Sequence, residues 1–130
     1  MNSVHFIFYV ANQERSTTFY SQVLGIDPHL NTPGMTQFAL PGGATLGLMR
    51  EAGIVELLGS ALPDPRKAQG VPRSELYLIV DDAQAFLDRA LGANARELSP
   101  LQERDWGDRA AYVLDPDGHV VAFAESVNVV

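Results

Sequence analysis

The 130-residue chain contains no cysteine. This absence excludes disulfide bonds, thiolate metal sites and a cysteine nucleophile, so any metal ligands must be histidine and carboxylate side chains. The sequence also lacks an apolar run of about 18 residues, the length that a membrane span needs. Its N-terminus has neither the basic nor the long apolar region of a signal peptide. We therefore expect a cytoplasmic protein with no membrane partner.

Positive charge is scarce. Nine Lys and Arg residues stand against 16 Asp and Glu, which gives a formal net charge of −7. The basic residues are scattered singly, apart from the pair Arg66 and Lys67. Nucleic-acid binding relies on clustered cations, so we expect no nucleic-acid partner. The negative field slightly favours cationic ligands, although most acidic proteins carry such charge for solubility alone.

Several catalytic motifs are missing as well. The sequence has no GxGxxG or GxxxxGK phosphate-binding loop, and Gly42 and Gly43 belong to a predicted hairpin turn and not to a helix start. It has no GxSxG nucleophile elbow. Composition and motifs therefore leave the type of reaction, if any, undetermined.

The chain does contain one pattern that occurs twice. Val4–Val10 reads as a strand and is followed by a predicted helix over Gln13–Leu24, while Glu75–Val80 and Ala83–Leu91 repeat this order. Further strands and a tight turn follow each helix. We expect one domain made of module one (1–50), a Pro- and Gly-containing linker (51–74) and module two (75–130).

Turn and capping residues mark the ends of these elements. Asn12 and Asp82 are predicted N-caps, and Gly25 and Gly92 are predicted to end the two helices. The segment 115–118 (DPDG) has the composition of a hairpin turn. In the linker, 54–58 is predicted to form one helical turn.

The repeated module, the phrase TFY at 18–20 before VLG at 23–25, and the string WGDRAAYVLDPDGH at 106–119 together resemble the vicinal oxygen chelate superfamily. This group includes glyoxalase I, bleomycin-resistance proteins and extradiol dioxygenases. The resemblance implies an α+β fold of two βαβββ modules, each a curled mixed sheet with one packed helix, around a cavity. It also implies a homodimer, and it says little about the reaction, because one scaffold hosts many functions.

In metal-using members of this superfamily, the ligands lie at the start of each module's first strand and in the middle of its last strand. His5 and Glu75 occupy the first pair of positions, whereas the carboxylate positions fall on Gly47 and Ala122. Two donors are fewer than the three or four that zinc sites use. Gln37 and Glu56 are the residues that we considered for completing the site. His29 and His119 are predicted to face solvent.

Strand alternation assigns side chains to a shared face. His5, Ile7 and Tyr9 are predicted to share one face in module one, and Glu75, Tyr77 and Ile79 share one in module two. Small residues at 47 and 122 would leave room for a ligand there.

Trp106 and Arg109 precede and begin a strand of the second module. Trp106 is predicted either to flank the cavity or to fill the core. Arg109 is predicted either to clamp an anionic group of a ligand or, with more weight, to pair with Asp108 or Asp105.

Two hypotheses follow. In the first, which we favour, the protein binds a small apolar or aromatic molecule without a cofactor, with Tyr9, Tyr77, Trp106 and Arg109 as ligand-binding residues. In the second, it is a glyoxalase-type lyase, isomerase or dioxygenase that uses a divalent metal (Zn, Ni, Mn or Fe) held by His5 and Glu75. Catalytic residues are not assigned in either case.

Overall fold

The structure is a computed structural model that describes residues 1–126. It contains two compact units. The first consists of Met1–Ser21 with Gly25–Gln69, and the second of Gln22–Leu24 with the chain from Gly70 onward. The last four residues of the predicted second module, 127–130, lie outside the described residues.

The first unit is built on a four-stranded sheet. Its strands are β1 (Val4–Val10), β2 (Leu30–Thr32), β3 (Met35–Ala39) and β4 (Ala44–Arg50), in the order β1-β4-β3-β2. Strand β1 runs parallel to β4, and the remaining neighbours are antiparallel. Helix α1 (Gln13–Leu24) follows β1, and helix α2 (Glu51–Leu58) follows β4.

Helix α1 forms where its capping residues predict. The side chain of Asn12 accepts a hydrogen bond from the backbone N–H of Arg15, and Gly25 adopts the left-handed conformation that ends the helix. Phe19, Tyr20 and Val23 are buried and form the apolar stripe on one side of the helix.

The second unit repeats this arrangement. Its strands are β5 (Glu75–Ile79), β6 (Arg96–Glu103), β7 (Asp108–Leu114) and β8 (Val120–Ser126), in the order β5-β8-β7-β6, with only β5 and β8 parallel. Helix α3 (Ala83–Gly92) follows β5. Two four-stranded mixed sheets, each open and packed against a helix, confirm the predicted fold class.

The structure contains two strands that the residues alone did not reveal. Strand β2 has only three residues, and β6 includes Pro100 and shifts of register against β7. Both are edge strands, where a proline and irregular pairing are tolerated. Neither shows the alternation of apolar and polar residues that identifies a strand in a sequence.

The predicted linker and one helix end also need correction. Helix α2 is longer than the single turn predicted at 54–58, since it begins at Glu51 and buries Ile54. Helix α3 does not stop before Gly92. Gly92 is its last residue, and the left-handed residue that follows is Asn94, with a φ of 70°. Among the described residues, no helix is long and apolar enough to cross a membrane.

The turn between β7 and β8 is held by backbone contacts. Gly118 has a φ of 86°, and its N–H donates to the carbonyl of Asp115 at 3.1 Å. A Cβ atom placed on Gly118 would lie 2.8 Å from the carbonyl oxygen of Gly70. The turn therefore fits against the chain only because residue 118 has no side chain.

A matched pair of glycine substitutions tests this description. Gly118→Ala should lower the free energy of unfolding by about 1–3 kcal/mol, because it adds backbone strain and a steric clash. Gly92→Ala should raise it by up to about 1 kcal/mol, because a Cβ there meets open space at a helical position. Chemical denaturation measures both. A loss of stability in Gly92→Ala would instead support the predicted helix end at Gly92.

Candidate functional site

The first sheet has one face covered by helix α1 and one face turned away from it. The ring of Phe8 lies 6.3 Å from the ring of Tyr20 on α1, so Phe8 faces the helix. His5, Ile7 and Tyr9 therefore share the opposite face, which we call the first open face. Their shared face is confirmed, and His5 is exposed there.

Gly47 lies in the middle of this open face. Register places it between Ile7 on β1 and Gln37 on β3. A Cβ atom on Gly47 would lie 3.1 Å from Cγ1 of Ile7 and 3.3 Å from Sδ of Met35. The expectation that Gly47 leaves room for a ligand is therefore wrong, because the side chains of Ile7 and Met35 already occupy that space.

The first open face does not fit the metal site of the superfamily. Of the two residues considered for completing it, Gln37 shares the face with His5, whereas Glu56 is exposed on helix α2. An imidazole and a neutral amide do not make the three-donor set of a catalytic zinc site. The position of the missing carboxylate is Gly47, which has no donor.

The second sheet has an open face of different character. The ring of Phe123 on β8 lies 5.8 Å from the ring of Phe86 on α3, so Phe123 faces the helix. Its neighbour Ala122 therefore faces away from α3, on what we call the second open face. Register places Ala122 directly between Tyr77 on β5 and Tyr112 on β7.

A hydrogen bond crosses this second open face. The hydroxyl of Tyr77 donates to Oδ2 of Asp108 at 2.5 Å. Tyr77 lies on β5 and Asp108 on β7, so the contact spans the intervening strand β8. The β8 residues in that span that share the face are Ala122 and Ala124, both fully buried. Their small size lets the Tyr77 side chain reach Asp108.

Trp106 is tied to the same hydroxyl. Its indole N–H donates to the Tyr77 oxygen at 3.0 Å, yet the side chain remains 54% exposed. This exposure excludes the core-filling role that was one of two predictions for Trp106. We refer to Tyr77, Trp106, Asp108 and Tyr112 as the aromatic-acid cluster. Sequence reasoning missed Asp108, although it lies on the same face of its strand as Tyr112 by period-two spacing.

The cluster shifts the acidity of its two phenols. Burial raises the pKa of Tyr77 above its usual value, and the hydrogen bond to Asp108 raises it further, while the Trp106 indole opposes this shift. The pKa of Tyr112 is also raised, first by burial and then by the negative charge of Glu75. Both hydroxyls therefore stay protonated at neutral pH and are hydrogen-bond donors.

Arg104 supports the cluster from the side of β6. Its guanidinium lies 5.2 Å from the centre of the Tyr112 ring and donates to the carbonyl of Ala110 at 2.7 and 3.1 Å. It also donates to Ser99 Oγ at 2.8 Å and to the carbonyl of Pro100 at 2.9 Å. These contacts join the irregular strand β6 to β7, so Arg104 positions Tyr112.

Glu75, the other predicted metal ligand, begins β5 and is exposed. Burial is the main cause of the raised pKa of Tyr112, and the negative charge of Glu75 adds to it. The matching carboxylate position on β8 is Ala122, which has no donor and lies in the path of the Tyr77 side chain. The second open face therefore does not fit the superfamily's metal site either.

Arg109 lies on the other face of the second sheet. It is paired in register with Glu125, and its guanidinium is 3.6 Å from that carboxylate. Glu125 also accepts a hydrogen bond from the backbone N–H of Ala83 at the start of α3, at 2.7 Å. The predicted partners of Arg109, Asp108 and Asp105, are therefore wrong. Strand alternation turns Asp108 to the open face and Arg109 to the helix.

A group of metal-ligating side chains does occur at the β7–β8 turn. Ligand atoms of Asp115, Asp117 and His119 lie within 4.8 Å of one another. Asp115 is buried, and its Oδ1 accepts hydrogen bonds from the backbone N–H groups of Asp117 and His119, each at 2.8 Å. His119 is half-buried and not solvent-facing as predicted, whereas His29 is exposed. The three residues form a potential cation site whose first carboxylate also organises the turn.

The first unit has a solvent-open cleft of about 540 Å³ beside the start of α1. Its lining residues are mostly polar and include Gln13. The side-chain amide of Gln13 donates to the carbonyl of Thr32 at 2.8 Å and to Thr36 Oγ1 at 2.9 Å, and it accepts from the N–H of Gly34 at 2.8 Å. Through these three hydrogen bonds, Gln13 anchors the β2–β3 hairpin to α1.

The family comparison agrees with this geometry. Residues 2–123 match the model of the glyoxalase/bleomycin resistance protein/dioxygenase superfamily. The chain belongs to this superfamily. The match covers β1 to β7 and ends within β8. Many members of the superfamily bind divalent metals. Membership specifies neither a metal nor a reaction.

Two mycobacterial proteins are similar in sequence to part of this chain. An uncharacterised protein from Mycobacterium bovis is 35% identical over 66 residues, which cover 51% of this chain and 43% of the relative. An uncharacterised protein from Mycobacterium tuberculosis is equally identical over 66 residues, or 38% of its length. The aligned region thus spans about two fifths of these curated relatives.

Solved structures extend the likeness over nearly the whole fold. A glyoxalase-related enzyme from Fulvimarina pelagi has a TM-score of 0.79 at 23% identity, covering 95% of this chain and 86% of the other. A protein of unknown function from Agrobacterium tumefaciens has a TM-score of 0.78 at 23% identity, covering 97% and 94%. At these identities the likeness establishes the fold alone.

The shifted pKa of Tyr77 predicts a titration difference. Phenolate absorbance of the folded protein, minus that of Tyr77→Phe, should titrate with a midpoint above the usual value of about 10. In denaturant the same difference should return to about 10. The sign follows from the raised folded pKa: the stabilisation is complete below pH 10 and is lost as pH rises through that folded value. An unshifted midpoint in the folded protein would contradict the burial of the Tyr77 hydroxyl and its hydrogen bond to Asp108.

Proposed function

We propose that the protein binds a small aromatic or apolar molecule on the second open face, without a metal ion. The observation that carries this proposal is the aromatic-acid cluster itself. Trp106 is largely exposed, yet its indole N–H is held by the Tyr77 hydroxyl, which is in turn held by Asp108. An exposed aromatic side chain with a fixed orientation offers a large contact area at little cost in conformational entropy.

The chemistry of the cluster supports a binding role. Small-molecule sites are mainly apolar and contain a few directed polar groups. Here Tyr77, Tyr112 and Trp106 supply aromatic surface, Asp108 supplies a directed polar group, and the fully buried alanines of β8 form the floor on which Tyr77 lies. Of the predicted ligand-binding residues, Tyr77 and Trp106 belong to this cluster. Tyr9 lies on the first open face, and its role in ligand binding stays a prediction. Arg109 faces helix α3.

The alternative is a lyase, isomerase or dioxygenase that uses a divalent metal at His5 and Glu75. Superfamily membership and the position of His5 favour it. However, it needs carboxylate ligands where the chain has Gly47 and Ala122. The homodimer and the cytoplasmic location remain predictions.

Tryptophan fluorescence tests the binding proposal directly, because Trp106 is the only tryptophan. Titration with a neutral naphthyl alcohol should shift its emission and reach saturation at one molecule per chain. Ala122→Leu places a larger side chain under Tyr77 and should weaken binding about tenfold, a loss typical of one well-packed contact. Ala52→Leu, at an exposed site on α2, is the matched control and should bind like the wild type. Equal binding by Ala122→Leu would remove the second open face from the site.

Metal analysis separates the two hypotheses. Purified protein, incubated with Zn(II), Mn(II) or Fe(II) and then desalted, should retain no metal ion coordinated by His5. His5→Ala and Glu75→Gln should therefore match the wild type in metal content. A stoichiometric ion lost in His5→Ala would support the enzyme hypothesis. An ion lost in His119→Ala but retained in His5→Ala would instead belong to the turn between β7 and β8.

A further inference from the structure

We infer that the molecule bound by the aromatic-acid cluster carries a positive charge, held by Asp108 beside the exposed ring of Trp106. The ligand class is an aromatic or apolar body bearing a protonated amine or a similar cation. This inference rests on the proposed function and names the ligand class of the same site.

The carboxylate of Asp108 can accept a further hydrogen bond. A carboxylate has two oxygens and about four acceptor positions. Within residues 1–126, the side-chain hydrogen bond that Asp108 receives comes from Tyr77 and occupies Oδ2. Oδ1 therefore retains its capacity to accept from a ligand while the Tyr77 contact stays in place. An ammonium group is the complementary donor, and hydrogen bonds between charged partners are about twice as strong as neutral ones.

The aromatic rings of the cluster also favour a cation. Cations bind favourably over aromatic faces, most strongly over indole. Tyr112 already has such a partner, because the Arg104 guanidinium lies 5.2 Å from its ring centre. The indole of Trp106 has its N–H directed to Tyr77 and remains exposed, so a ligand can still approach it.

The charges around the cluster are mainly negative. Asp108 and Glu75 are negative, and both add to the rise in the pKa of Tyr112 that burial causes first, whereas Arg104 opposes that rise. Arg104 is the opposing charge, but its donors are directed at the carbonyls of Ala110 and Pro100 and at Ser99 Oγ. These hydrogen bonds turn Arg104 toward the protein backbone. The excess charge at the aromatic surface is therefore negative, which attracts cations and repels carboxylates.

Three probes of one shape test the inference: naphthylmethylamine, naphthalenemethanol and naphthoate, with dissociation constants measured by calorimetry at pH 7. The amine should bind about tenfold more tightly than the alcohol, and the carboxylate should bind most weakly. Raising the ionic strength should reduce the preference for the amine and leave the alcohol unaffected. This comparison uses the wild-type protein alone.

Two variants then locate the charge. Asp108→Asn keeps an acceptor for Tyr77 but removes the charge, so the amine should bind within about twofold of the alcohol. Asp105→Asn is the matched control, because it removes the same charge from an exposed residue next to Trp106, and it should retain the preference.

The outcomes are distinct. Equal binding of amine and alcohol by the wild type would overturn the inference and leave the proposed function standing. Tighter binding of the carboxylate would overturn it as well and would point to Arg104. Retention of the preference in Asp108→Asn would also contradict it. Failure of all three probes to bind would overturn the proposed function itself, and the inference with it.

Discussion

The hydrogen bond between Tyr77 and Asp108 is the contact on which the second open face depends. It joins two strands that are not neighbours, so it exists only while the strand between them carries small side chains on that face. Ala122 and Ala124 meet this condition. The same hydroxyl accepts a hydrogen bond from the indole N–H of Trp106. The orientation of the exposed indole ring therefore also depends on the two alanines beneath Tyr77.

This dependence gives the two modules different chemistry despite their shared topology. At equivalent positions of the two last strands, Gly47 is closely packed by Ile7 and Met35, whereas Ala122 lies between two tyrosines. Neither position has a metal-ligating side chain. In the first open face, aliphatic and thioether groups therefore pack around the central glycine, and the second combines phenol, indole and carboxylate. A duplicated module has thus retained its fold while its two faces differ in the ligands that they suit.

Much of the fold was predictable from the residues because its signals are local. Val4–Val10 and Gln13–Leu24 have the bounds that composition and capping predicted, since apolar periodicity and an Asn12 cap act within one element. One of the four strands in each module was not predictable in this way. Strands β2 and β6 form because neighbouring strands accept them at the sheet edges, and their own sequences carry little strand preference. Only the family resemblance implied them.

The candidate site was partly predictable for a related reason. Alternation placed Tyr77 and Ala122 on one face, but the Asp108 contact depends on reach across a strand, which a single strand's sequence does not encode. The partner of Arg109 was missed because register, and not sequence proximity, pairs it with Glu125. Long-range register was thus the information that the sequence alone did not supply.

The contact between Gly118 and Gly70 has an evolutionary consequence. The atoms nearest to a side chain at 118 would be backbone atoms of Gly70, which no substitution at position 70 can remove. A larger residue at 118 therefore cannot be compensated by a smaller one across the contact. Only a change in the path of the chain as it enters the second unit would relieve it. Homologous chains that retain this path should retain glycine at 118, even where the residues of the open face diverge in adapting to new ligands.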